Sequence, residues 1–107
     1  MKNEKKKTPN TKITRKDILA VVNDAAPYCY GVTGIVKLEN KKGKKEDNIV
    51  IDLHHDGTFS VEVYFIIASD IKITETLRSA QKTLRFFFDH KFPKKCLTID
   101  VYAEAIS

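Results

Sequence analysis

Apolar positions between Ile49 and Phe92 keep one period and then exchange it for another. Ile49, Ile51 and Leu53 share one parity, Asp56-Gly57 interrupts them, and Phe59, Val61, Val63, Phe65 and Ile67 resume the alternation. A period of two marks half-buried strands, predicted here over Ile49–His55 and Thr58–Ala68. Asp-Gly between two such runs predicts a two-residue type I′ turn, in which both central residues take positive φ. From Thr74 the period becomes about 3.6. Ile73, Leu77, Ala80, Leu84 and Phe88 then form the apolar stripe of a helix, with Phe87 at its edge and Pro93 as its stop. Thr74 or Asp70 is the expected cap.

The flanking segments complete the architecture. Thr14 and Asp17 have capping-box spacing, with Asp in place of the usual Glu or Gln. Ile18, Val21, Val22, Ala25 and Ala26 follow at helical spacing until Pro27, which disfavours α conformation at the residue before it. Val32–Leu38 is a strand of ambiguous parity: Val32, Val36 and Leu38 share one side, and Ile35 takes the other. The lysines of segment 40–48 repel one another, so this connection is expected to be a solvated loop rather than a tight hairpin. Cys96 to Ile106 forms the last strand, with Leu97, Ile99, Val101 and Ala103 on one face and Thr98, Asp100, Tyr102 and Glu104 on the other.

The order α-β-β-β-α-β defines an α+β two-layer sandwich. Three antiparallel strands form a meander, and the second helix carries the chain to a fourth, parallel strand in a mainly antiparallel four-stranded sheet. Each helix has one apolar stripe, so both must lie on one sheet face.

Length adds little to this picture, since 107 residues make one domain. Charge adds more. Residues 1–13 hold five lysines and one glutamate, so they are expected to be a flexible tail preceding a domain at 14–107. Of the formal net charge of +5, the tail, segment 39–47 and Lys91, Lys94 and Lys95 account for all the positive excess. The rest of the chain is net acidic, which weakens a nucleic-acid reading based on pI. No apolar run approaches the ~18 residues of a membrane span, and Met1–Lys7 has no apolar segment behind it, so the expected location is cytoplasmic. Cys29 and Cys96 match neither a zinc spacing nor a redox pair and are expected to be reduced thiols.

Candidate chemistry is sparse. His54 and His55 are adjacent on a strand and point to opposite faces, so they cannot both ligate one ion. Gly31-Val32-Thr33-Gly34 has the Gly-x-x-Gly spelling of KH domains but falls between a helix and a strand. Arg78, Lys82 and Arg85 form a basic stripe on the second helix that suits a phosphate or an acidic partner, although Asp89 can pair with Arg85. The sequence offers no nucleophile with a partner base and no phosphate-binding loop. A non-enzyme without cofactors is the expectation.

Two outward sets are left over. Phe86 lies about 160° around the helix from Phe88, so both cannot belong to one core. Phe86 is therefore expected to be exposed or covered by another chain. On the sheet, Val50, Tyr64, Ile66 and Tyr102 take the parity opposite to the core, interleaved with Asp52, Glu62 and Asp100. Phe86, Tyr64, Ile66 and Tyr102 are the candidate partner surface.

The capped first helix, Pro27, the Gly31-Val32 exit, the hairpin, the helix from Thr74 and the closing Ile99-Asp100-Val101-Tyr102-Ala103 strand together resemble the alkaline shock protein family of Gram-positive bacteria. The resemblance spans about residues 14–106. It departs at Tyr28-Cys29-Tyr30, where the family usually runs Val-Pro-Gly-Val, and at Ile71-Lys72-Ile73, where the family often has Asn-Ile-Pro. It implies a non-enzymatic scaffold linked to cell-envelope stress or homeostasis, self-associating and held peripherally at the membrane by a membrane-anchored protein partner. Lys2, Lys5, Lys6 and Lys7 would add ~1 kcal/mol each at an anionic surface, too little to anchor the chain alone. The alternative function is a small KH-like nucleic-acid-binding domain.

Overall fold

The computed structural model describes residues 12–106. Helix α1 spans Arg15–Ala25. Its capping box is formed: the Asp17 N–H donates to Thr14 Oγ1 at 3.2 Å, and the Thr14 N–H donates to Asp17 Oδ2 at 3.0 Å. Hydrogen bonding to Thr14, first to its backbone N–H and then to its side chain, holds the Asp17 carboxyl below the usual carboxylate range. Pro27 ends the helix by way of a 3-10 turn, Ala26–Tyr28. Then come β1 (Val32–Ile35), β2 (Lys37–Glu39), β3 (Lys45–Asp47), β4 (Ile49–Leu53), β5 (Phe59–Ile67), α2 (Ile73–Lys91) and β6 (Cys96–Ile106). The architecture is an α+β sandwich with a four-stranded sheet.

Strand β5 organises the sheet. Strand β6 runs parallel along one side of it. On the other side β4 pairs with its first part, from Leu53↔Phe59 to Ile49↔Val63, and β1 pairs with its last part, from Ile35↔Phe65 to Val32↔Ile67. The expected meander would have placed the first strand beside the second; instead both lie antiparallel to β5, end to end. The reason is length: four residues of β1 and five of β4 are together needed to cover the nine of β5. They meet where the Asn48 N–H donates to Val36 O and the Val36 N–H to Tyr64 O.

At that junction β2 and β3 leave the sheet as a separate antiparallel hairpin. The expectation of a loose loop over 40–48 is thus corrected. Lysine repulsion is offset by interleaved acids: Lys37 pairs with Asp47, and Asn40 Nδ2 donates to Glu46. Asn40 Oδ1 accepts the N–H groups of Lys42 and Lys44, and Gly43 supplies φ 80° at the tip.

All five core-parity side chains of β5 are fully or almost fully buried. Ile18, Val21, Val22 and Ala25 of α1 and Ala80, Leu84 and Phe88 of α2 cover them. The Phe59 ring meets those of Phe88 and Phe92 edge-on at 5.4 and 6.0 Å. Each such side chain stabilises the fold by about 1.5–3 kcal/mol through burial. Ile13 also packs against this core. Most of the predicted tail, residues 1–11, lies outside the described residues.

Several local expectations are revised. A register shift between Val32 and Gly34 resets the parity of β1, so Ile35 is buried. Leu38 is exposed because it lies on β2, which has left the sheet. A second shift, at Leu97, puts Cys96 and Ile99 in the core and leaves Leu97 outside. The Asp56-Gly57 turn is not type I′. Gly57 takes φ 89° but Asp56 does not share it. The His54 N–H donates to Thr58 O and the Gly57 N–H to His54 O, as in a three-residue loop with a glycine bulge. Asp56 is held by accepting both the N–H and the hydroxyl of Thr58. Helix α2 begins at Ile73 with Lys72 at its N-cap and no side-chain cap, so neither Thr74 nor Asp70 serves. Ile73 is exposed, and Thr76 takes its place in the buried stripe. The cause is Gly31, at φ 85°, whose missing side chain lets Ile71 and Thr76 close on its backbone.

Candidate interaction site

The helical layer carries a row of rings. Phe86 projects from α2 and is 70% exposed. Its ring meets Phe87 edge-on at 6.0 Å and lies parallel to His90 at 6.4 Å. Phe87 in turn meets Tyr28 at 5.5 Å, and Tyr28 is 72% exposed. Phe87 and His90 also line a groove of about 300 Å³ between α1 and α2, together with Ala20, Val21, Asp17 and Asp24. Helical spacing makes Phe86, Phe87 and His90 neighbours, and Pro27 throws Tyr28 outward at the end of α1. Tyr28 was legible only as a helix exit; the alternation Tyr28-Cys29-Tyr30, with Cys29 buried and both tyrosines exposed, was the available signal.

The second surface is the sheet face opposite the helices. Pairings Val50↔Glu62, Asp52↔Ser60, Glu62↔Asp100 and Tyr64↔Tyr102 bring these side chains to one side. The rings of Tyr64 and Tyr102 stack at 4.9 Å. The Tyr64 hydroxyl donates to Glu62 Oε1 at 3.2 Å, and Asn48 Nδ2 donates to Glu104 Oε1 at 3.0 Å. Burial first, then the bond to Glu62 and the neighbouring charges, pushes the Tyr64 phenol up. Ile66 lies beside this pair and is half-buried. The candidate set therefore divides: Tyr64, Ile66 and Tyr102 share the sheet face, and Phe86 belongs to the helical layer.

The basic stripe does not act as a unit. Arg78 and Lys82 are exposed, but the Arg85 guanidinium is occupied. It donates to the carbonyls of Cys96 and Leu97 and lies 3.4 Å from Asp89. Gln81 Nε2 donates in the same way to Ile99 O. These side chains tie α2 to strand β6, so Arg85 has a structural duty.

Among the described residues no group of three His, Cys, Asp or Glu is placed to hold a metal ion. His54 faces Ser60 at 3.4 Å and Asp52 at 4.0 Å. Cys29 and Cys96 are free, buried thiols that donate to Ala25 O and Thr98 O. Burial raises both, that of Cys96 to about 11, so neither is a thiolate near neutrality. Gly31 closes on α2 and Gly34 lies within β1, so Gly-x-x-Gly here is not a backbone clamp joining two helices. Among the described residues no helix is long and apolar enough to cross a membrane.

This chain has the fold of the MamM C-terminal domain. It is similar to the solved MamM CTD D249E in a zinc form, with a TM-score of 0.57, 13% identity and coverage of 84% of both chains. Similarity to MamM CTD E289D in a manganese form gives a TM-score of 0.58 and 11% identity over 86% of this chain and 99% of that one. MamM CTD H285D in a cadmium form gives 0.56 and 13% identity. At such identities the likeness concerns the path of the chain. No family model matches the sequence, and no curated protein matches it.

Proposed function

We propose that this chain is a non-catalytic domain that works by binding protein, of the alkaline shock type and tied to cell-envelope stress or homeostasis. The ring row Tyr28–Phe87–Phe86 carries the reading. Two large aromatic side chains are held more than two thirds exposed beside an apolar groove. Aromatic anchors next to a preformed groove are the usual energetic centre of a protein interface. Asp17 and Asp24 line the groove together with His90 and Lys91, so it suits a partner segment with an apolar stripe and a flank of mixed charge. A membrane-anchored partner docking here would hold the domain at the membrane surface.

The resemblance at the capped first helix, the Gly31-Val32 exit and the closing strand supports the family part of the proposal. The nucleic-acid alternative is weaker, since Arg85 and Gly31 have structural duties. The experiment is Phe86→Glu, chosen because Phe86 is not part of the core. It should leave the melting temperature close to that of the parent chain and reduce partner capture at least tenfold. Unchanged capture would refute the role of Phe86.

A further inference from the structure

The hairpin and the open sheet face are complementary, and each is unexplained by the core. The four lysine side chains at the hairpin tip, Lys41, Lys42, Lys44 and Lys45, are exposed, and Gly43 meets nothing; Asn40 closes the turn and Glu39 stands opposite Lys45. The arm also lacks a buried residue of its own, and Leu38 on it is 52% exposed. An ordered arm with no core duty is positioned for something outside the domain. Opposite in sign is the open face: Glu62, Asp100 and Glu104 lie near the Tyr64–Tyr102 stack, Asp52 lies farther along the same face opposite Ser60, and the strand positions on that face include no Lys or Arg.

We infer that the lysine tip of hairpin β2–β3 in one copy docks on the acidic, aromatic sheet face of a second copy of this chain. The dimensions agree. Three strands span about 10 Å across, and two strands plus a turn reach roughly 10–15 Å out. Four lysines meet four carboxylates. The rings of Tyr64 and Tyr102 offer flat apolar ground for the lysine stems, with their ammonium groups at the rim. The contact joins two different patches, so copies either exchange arms in a closed pair or extend in a row. It goes beyond the protein-binding proposal, since it uses neither Phe86 nor the helical groove.

Sedimentation of the full chain tests it through charge reversal. One variant carries Lys41→Glu, Lys42→Glu, Lys44→Glu and Lys45→Glu; the other carries Asp52→Lys, Glu62→Lys and Asp100→Lys. The parent chain should associate with rising concentration and dissociate as salt screens the charges. Each variant alone should associate at least tenfold more weakly, and an equimolar mixture should regain hetero-association. Circular dichroism checks that each is folded, and milder Lys→Gln and Asp→Asn sets replace any that is not. A parent chain that stays monomeric at every concentration would overturn the inference, as would variants that associate like the parent or a mixture that gains nothing. So would loss of association on removing residues 1–11 with the hairpin reversal inert, because the tail lysines would then be the occupant. Salt-sensitive binding of a nucleic-acid duplex through the hairpin, without self-association, would equally reject it. Phe86→Glu should leave this association intact, which separates failure here from failure of the helical interface.

Discussion

Adjacent residues of β5 lead different lives. Phe59, Val61, Val63, Phe65 and Ile67 lie sealed beneath two helices, while Ser60, Glu62, Tyr64 and Ile66 remain partly exposed on a face that no element among the described residues covers. The same backbone ladder supports both sets, so the difference comes from the side chains and from what lies above them. On the covered side the neighbours are apolar and size decides the fit. The other side mixes stacked tyrosines with carboxylates, which makes neither a second core nor an indifferent solvated surface. A face of that composition gains most from a partner that brings cations and flat apolar stems together.

The contrast can be broken most severely in the core. Phe65→Ala should destabilise the domain by about 3–5 kcal/mol in denaturant unfolding, as large aromatic truncations in cores do. Tyr64→Ala, one residue away, should cost under about 1 kcal/mol. Similar losses for the two would mean that the open face is a structural layer.

A second expectation is alkaline. The folded-state pKa of Cys96 is raised from an ordinary 9.0 to about 11. Above pH 9 the unfolded chain releases this proton and the folded chain retains it, so stability falls as pH rises from about 9 to about 11. The Tyr64 phenol, also raised, acts with the same sign. Cys96→Ala should flatten the loss in melts recorded across that range, and an unchanged slope would assign it elsewhere.

Gly31→Ala should cost about 1–2 kcal/mol from its left-handed backbone alone. The new Cβ would also meet Ile71 and Thr76 at 3.0 Å. Thr76→Ser in the same chain removes Thr76 Cγ2 but leaves Ile71 Cγ2 at 3.0 Å and the hydroxyl at 3.1 Å, so it should return only a fraction of the steric part and none of the backbone part. Full recovery would show that φ 85° carries no strain here.

Periodicity made the buried half of this molecule legible. Alternation over Phe59–Ile67 and the stripe of Ala80, Leu84 and Phe88 each report a local repeat, and a local repeat is visible in one dimension. Pairing is not local. Nothing in the order of residues says that β1 and β4 share one edge of β5, or that Lys37 and Asp47 hold a hairpin together across ten positions. Extra residues at Thr33 and Leu97 shift a strand's parity without any signature in composition. Exposure of Phe86 followed from helical geometry. Its continuation through Phe87 to Tyr28 required knowing that the end of α1 lies beside α2. Arg85 shows the converse: its pairing with Asp89 was legible from the i, i+4 spacing, but the carbonyls of strand β6 within its reach were not.

All of these separate residues that hold the domain together from residues that face outward for contact, and Phe86 is the sharpest member of the outward group. The most direct measurement is the affinity of Phe86→Glu for the protein partner captured by the parent chain, taken at equal folded fraction. The account predicts at least a tenfold loss with an unchanged melting temperature. An unchanged affinity, or a collapse in melting temperature that accounts for the whole loss, would contradict it.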